Sequence, residues 1–242
     1  MLAIEDVSVK FGGVRAVNNL SIEVQQGEIV GLIGPNGAGK TTTIDAICGF
    51  VTAVGSVHVK GQDVTRLRPH MRARNGISRT FQSLELFEDM TLAENLGVAA
   101  ESLGTREKGG TRLLAIDALQ RVGLDVDPDL MPGALSHGDR KLLAVARALI
   151  SRPALLLLDE PAAGLNSAES GVLGQRLRQL RDGGASILLV DHDMGLVSST
   201  CDRLYVLDFG ELIAHGKPQE IMRNPRVISA YLGAGTAEKA AL

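Results

Sequence analysis

With 242 residues, 45% of them apolar, and a net charge of −3, the chain has material for one large domain or a domain with a subdomain. That charge excludes a global basic field of the kind that recruits nucleic acid, so no nucleic-acid partner is expected. Two isolated cysteines, Cys48 and Cys201, exclude a disulfide or cysteine–metal framework and fit a reducing cytosol. The opening decapeptide MLAIEDVSVK lacks a signal peptide's apolar centre, and no apolar run reaches the roughly 18 residues of a membrane span. A soluble chain is expected, with any membrane role borrowed from a partner.

In chain order, residues 4–9 and 20–24 alternate apolar and polar, which predicts two strands covered on one face. Phe11-Gly12-Gly13 reads as the turn after the first. Residues 29–33, IVGLI, form the wholly apolar run of a strand covered on both faces. Residues 41–48 have helix-compatible composition, so a strand, a glycine loop and a helix follow one another as in an α/β unit. Residues 57–59 with Lys60-Gly61 predict a hairpin end. A helical insertion is expected over about 83–150, interrupted by the polar stretch ESLGTREKGGTR (101–112). Buried strands follow at 154–158, 187–190 and 204–207, and a flexible tail over about 233–242. The pattern is a mixed sheet with helices in a single domain over 1–242.

Residues 34–42, GPNGAGKTT, fit the phosphate-loop pattern G-x-x-x-x-G-K-[ST]. Gly34, Pro35, Asn36, Gly37, Ala38 and Gly39 can turn successive N–H groups inward to form an anion nest, and the following helix adds the positive end of its dipole. Lys40 would neutralise phosphate oxygens, the Thr41 hydroxyl would ligate Mg²⁺, and Thr42 completes the cradle. The run LLLLDEP (155–161) ends a buried strand on two carboxylates. Ligands of open α/β sheets sit at such carboxyl ends. There Asp159 would hold the metal, and Glu160 would polarise an attacking water. Three further residues gain meaning only beside these. Gln82 would contact both metal and water, Ser136 reads alone as a helix N-cap, and His192 follows a strand.

Taken together, these pieces resemble the ATP-binding cassette (ABC) ATPases from about residue 2 to 233. The resemblance implies a P-loop α/β nucleotide-binding domain with a RecA-like core, an antiparallel β subdomain and a helical subdomain. In that family's terms residues 34–42 look like Walker A and Gln82 like the Q-loop glutamine. Leu135-Ser136-His137-Gly138-Asp139 looks like the signature, with Ser136 and Gly138 as γ-phosphate contacts. Asp159 and Glu160 resemble Walker B and the catalytic glutamate, residues 163–166 the D-loop, and His192 the switch histidine. Phe11 stands where the family places an aromatic that stacks on adenine. The implied cofactors are ATP and Mg²⁺. The implied mechanism is a sandwich of two cassettes, homo- or heteromeric, that binding closes and hydrolysis opens.

Finer wording, GISRTFQSLELFEDMTLAENL, DEPAAGLN and VDHDM, is similar to the cassettes of branched-chain amino-acid importers. Those work with integral-membrane permeases and an extracytoplasmic solute-binding protein, which implies a peripheral position on the cytoplasmic face of the membrane. Lipopolysaccharide-export cassettes share IAHG and a tail ending in Tyr-Leu-Gly and form the competing branch. A soluble ABC protein of DNA repair or translation is a third class, but the long coiled coil or second cassette expected of it is absent from this sequence. Two departures stand out. The signature reads His137 and Asp139 where glycine and glutamine are usual, and the added charge is expected to weaken closure on polyphosphate. The stretch 101–112 is shorter than the branch implies.

Overall fold

The computed structural model describes residues 1–81, 83–101 and 110–232. The alternating N-terminus forms a hairpin of β1 (Leu2–Phe11) and β2 (Val14–Val24), with Phe11 opposite Val14. β2 begins six residues earlier than the expected 20, because 14–19 lie largely at the hairpin's solvent-exposed end, where no alternation marks them. β3 (Ile29–Ile33) then leads through the glycine loop into α1 (Lys40–Cys48). β4 (Val54–Val59) and β5 (Gln62–Asp63) make the expected hairpin around Lys60-Gly61. They join β1 and β2 in an antiparallel sheet of order β2-β1-β4-β5.

After α2 (Pro69–Arg74) and the short β6 (Ile77–Arg79), the chain turns helical, with α3 (Leu92–Glu101), α4 (Gly110–Arg121) and α5 (His137–Leu149). The polar stretch expected to interrupt them lies mostly outside the described residues, as does the expected tail. Strands and helices then alternate as β7 (Leu155–Asp159), α6 (Ser167–Asp182), β8 (Ser186–Val190), α7 (Met194–Thr200) and β9 (Arg203–Asp208). β10 (Glu211–Gly216), α8 (Pro218–Ile221) and α9 (Pro225–Leu232) complete the described chain. The second sheet runs β10-β9-β3-β8-β7-β6 and is parallel except for β10. The mixed sheet is therefore accompanied by a separate antiparallel one.

The parallel strands divide their side chains between two cores. Ile29, Ile33, Leu156, Leu158, Ile187 and Leu189 face the core shared with α3 to α7. Val30, Leu32, Leu155, Leu157, Leu188 and Val190 face the one shared with α1 and the antiparallel sheet. Each such side chain contributes roughly 1.5–3 kcal/mol on burial, so five residues suffice to anchor each strand. Gly31 keeps the sheet close to α7: a Cβ there would stand 2.5 Å from Leu204 Cδ2 and 3.3 Å from Val197 Cγ1.

The carboxyl end of α1 is closed by a buried cation. Arg72 donates to Ala46 O (2.7 Å) and Ile47 O (2.8 Å), and also to Leu67 O and Thr65 O. A guanidinium there meets the negative end of the helix dipole, satisfies Ile47 O and adds a second donor to Ala46 O, which also accepts from the Gly49 cap. Arg72→Met keeps the volume but removes the guanidinium's bonds to four carbonyls, of which Ala46 O keeps Gly49 N as a donor. It should lower stability by about 3 kcal/mol, read as a drop of roughly 6–12 °C in Tm by calorimetry.

Candidate functional site

The glycine loop lies where β3 ends. Side chains are excluded at two of its positions: a Cβ on Gly34 (φ 152°) would stand 2.2 Å from Leu207 O, and one on Gly39 (φ 98°) 2.4 Å from Ala16 O. The second contact sets the loop against β2, two residues beyond Val14, the partner of Phe11. One more contact braces it: Gly210 N donates to Ala38 O (3.1 Å). Helix α1 starts with Gly39 as its N-cap, no side-chain cap and no acid in its first turn. Such an opening suits an external anion. Thr41 is exposed and Thr42 half-buried at this end.

Lys40 is buried, and its ammonium donates to Gly34 O (2.8 Å) and Pro35 O (2.9 Å). Burial pulls its pKa below the usual lysine value, while the carboxylates of Glu160 and Asp159 pull it back up. Those carboxylates stand at the end of β7, two strands from β3 and so about 10 Å across the sheet. Asp159 is buried, which pushes its carboxyl above the ordinary range, against the opposing pull of Arg79, whose Nη2 donates to Asp159 Oδ2 at 2.8 Å. The sequence suggests a carboxylate committed to metal alone; the structure gives it a protein partner as well.

Glu160 holds a left-handed backbone (φ 48°), a conformation that costs about 1–3 kcal/mol for a non-glycine residue. Its N–H donates to Val190 O (2.7 Å), which fixes the turn against β8. His192 Nδ1 lies 3.8 Å from Glu160 Oε2, at the same corner of the site. Buried Asp191 shapes this corner by accepting N–H bonds from Ala162 (2.9 Å), His192 (2.8 Å) and Asp193 (2.9 Å). After the turn Asn166 caps α6, accepting from Ala168 N and Glu169 N, while Glu169 accepts from Asn166 N.

The remaining sequence candidates are placed unevenly. Ser136 is the N-cap of α5, accepting from Asp139 N at 3.1 Å and donating its hydroxyl to Asp139 Oδ2 at 2.8 Å. Gly138 lies in the first turn of α5, near Glu169. Among the described residues no hydrogen bond or ion pair joins either to the phosphate loop. Phe11 sits half-exposed at the hairpin end. Gln82 lies outside the described residues. Arg79 was legible only as part of a motif; what it contacts depends on β6 lying beside β7, with Arg79 opposite Leu157. Lys141, buried on α5 with Asp191 and Glu160 among its electrostatic neighbours, carried no signal beyond being a charge in an apolar helix.

The donor set fits a phosphate-bound cation. Among the described residues no three His, Cys, Asp or Glu side chains converge on a metal. Mg²⁺ is typically held by one or two carboxylates plus phosphate oxygens and water, and one carboxylate facing an uncapped phosphate loop provides such a setting.

Comparison with known proteins agrees with this geometry. Residues 17–163 match the ABC transporter family. The chain belongs to that family. Residues 211–237 of this cassette also match the branched-chain amino acid ATP-binding cassette transporter family. The cassette is 40% identical to the high-affinity branched-chain amino acid transport ATP-binding protein LivG of Salmonella typhimurium, over 96% of this chain and 98% of that one. It is 34% identical to the lipopolysaccharide export system ATP-binding protein LptB of Escherichia coli, over 96% and 97%. A nucleotide-free ATP-binding cassette of an ABC transporter superimposes with a TM-score of 0.88 at 30% identity, over 96% and 99%. The recognition of an ABC ATPase and its α/β cassette fold both hold.

The lysine gives a direct check. Its ammonium is held by loop carbonyls rather than by the core, so Lys40→Ala should fold. ATP affinity, measured by isothermal titration, should fall at least about tenfold, as expected for loss of a charge-assisted contact, with Tm within a few degrees of wild type.

Proposed function

We propose that this cassette binds ATP with Mg²⁺, hydrolyses it, and so powers uptake of branched-chain amino acids or a closely related solute through partner permeases. The observation that carries the reading is the likeness to LivG along nearly the whole of both chains. The match at 211–237 supports import over lipopolysaccharide export, as does the lower identity to LptB. Among the described residues no helix is long and apolar enough to cross a membrane. The reading therefore assigns the pathway to permeases and the cassette to their cytoplasmic face. A second cassette and an extracytoplasmic solute-binding protein complete the assembly.

In this reading the N–H groups of residues 34–39 and the start of α1 hold phosphate oxygens, and Lys40 offers them its charge. Thr41 and Asp159 would hold Mg²⁺, which would neutralise the phosphates, and Gln82 is assigned to the same metal. Glu160 orients the attacking water and takes its proton, with His192 steadying the same corner. Ser136 and Gly138 serve the nucleotide of the opposing cassette. Phe11 stacks on adenine, its half-exposed ring standing at the hairpin end that abuts the loop.

Two experiments test these assignments. A positioned general base is worth roughly 10²–10⁴-fold, so Glu160→Gln should bind ATP but release phosphate at about a hundredth of the wild-type rate or less. With hydrolysis blocked, it should accumulate an ATP-dependent dimer on size exclusion, alone or mixed with its partner cassette. Near-normal phosphate release would remove Glu160 from the chemistry. Phe11→Ala should weaken ATP and GTP alike by roughly 1–3 kcal/mol, the worth of a base–aromatic stack. Unchanged affinity by titration would return Phe11 to the surface. Transport itself is read by reconstituting the co-purified permeases in vesicles and following leucine entry.

A further inference from the structure

The guanidinium of Arg79 lies between two carboxylates and two aromatic rings. Nη2 donates to Asp159 Oδ2 at 2.8 Å, and Nη1 is bonded to Asp45 Oδ1. The Arg79 and Asp159 side chains are 9% and 4% exposed. Cζ stands 5.0 Å from the Phe81 ring centroid and 5.9 Å from that of Phe50, within cation–π range of both. The two rings are tilted and 6.5 Å apart, and both are partly open to solvent. Nε is buried without a hydrogen-bond partner among the described residues, so the two outer nitrogens carry the polar hold.

We propose that Arg79 is a positioning residue for the Asp159 carboxylate: it fixes that group toward the phosphate loop, ready for a divalent cation, while its aromatic seat on Phe50 and Phe81 fixes Arg79 itself. The inference rests on the proposed reading of Asp159 as a metal-holding carboxylate. A buried carboxylate without a counter-charge is expensive. A guanidinium shared between Asp45 and Asp159 relieves that expense without cancelling the site: Asp45, Asp159 and Glu160 against Arg79 and Lys40 leave one negative charge for a cation. Arg79 engages Oδ2 of Asp159, which restrains the side chain's rotation. Partners behind a metal ligand typically change metal affinity 10–100-fold when removed. A planar fork spanning two carboxylates and stacking on rings is work that lysine's point charge does only in part.

The test follows Mg²⁺-dependent ATP binding, using a fluorescent ATP analogue titrated with Mg²⁺, so that hydrolysis plays no part in the readout. Arg79→Gln should raise the Mg²⁺ midpoint about tenfold while metal-free nucleotide binding stays within about twofold of wild type. Arg79→Lys should recover part of the shift. Where Arg79→Gln fails to fold, as judged by thermal unfolding, the paired exchange Phe50→Ala and Phe81→Ala keeps the charge but removes its seat. It should raise the midpoint about threefold. A folded Arg79→Gln, or in its place the folded double variant, with a wild-type midpoint overturns the proposal. Asp159→Asn separates the two levels. If it too leaves the midpoint unchanged, the metal reading of Asp159 has failed; if it raises the midpoint and Arg79→Gln does not, only the role of Arg79 has failed.

Discussion

Everything at this site depends on the double burial of the central strands. Because β3, β7 and β8 send alternate side chains into two apolar cores, almost no polar group can be placed along their length without an unpaired donor or acceptor. Charge is confined to the places where the strands stop. There the last residue of β7 is Asp159 and the first beyond it Glu160, β8 gives way to Asp191 and His192, and β3 opens into the glycine loop. Parallel direction puts these endings on one edge of the sheet, so one constraint on burial assembles an active edge from segments more than a hundred residues apart.

Charges collected at such an edge need an internal balance before any ligand arrives. Lys40 rests on two loop carbonyls, Asp159 on Arg79, and Asp191 on three backbone N–H groups. These interim partners differ in kind. Carbonyls are neutral, and an ammonium leaves them for phosphate oxygens with a gain in charge pairing. Backbone N–H groups are fixed and keep Asp191 in a structural part, shaping the turn that carries His192. The guanidinium lies between these extremes, strong enough to hold a carboxylate and yet shared with Asp45.

The legible part of this fold is the part written in local chemistry. The phosphate loop declares itself through Gly34, Gly39 and Lys40 because a close backbone approach and a buried ammonium need those residue types. The run 29–33 declares a doubly covered strand because nothing else tolerates five apolar residues there. What stayed hidden was non-local or unpatterned. The first half of β2 pairs in solvent; β6 is three residues long and exists only because β7 is beside it; β10 is half-exposed along its length. The bond from Arg79 to Asp159 crosses 80 residues, and that from Asn18 N to Gly210 O joins β2 to the turn before β10. No periodicity encodes either.

The two helices expected to meet nucleotide have opposite beginnings. α1 starts on a glycine with neither a capping side chain nor an acid, so its positive end is left for a ligand. α5 is closed on itself: Ser136 accepts from Asp139 N–H and gives its own hydroxyl hydrogen to the Asp139 carboxylate. In a sandwich of two cassettes, Ser136 would have to exchange that carboxylate for a phosphate oxygen, surrendering a charge-assisted bond worth roughly 1.5–3 kcal/mol. Asp139 would at the same moment face a second anion, with the helix dipole as its remaining support. In that assembly the charge that the sequence flags as unfavourable to closure would act twice, once by repulsion and once by holding the serine. A partner cassette with a less committed signature serine would close more readily on this chain's nucleotide than this chain closes on its partner's.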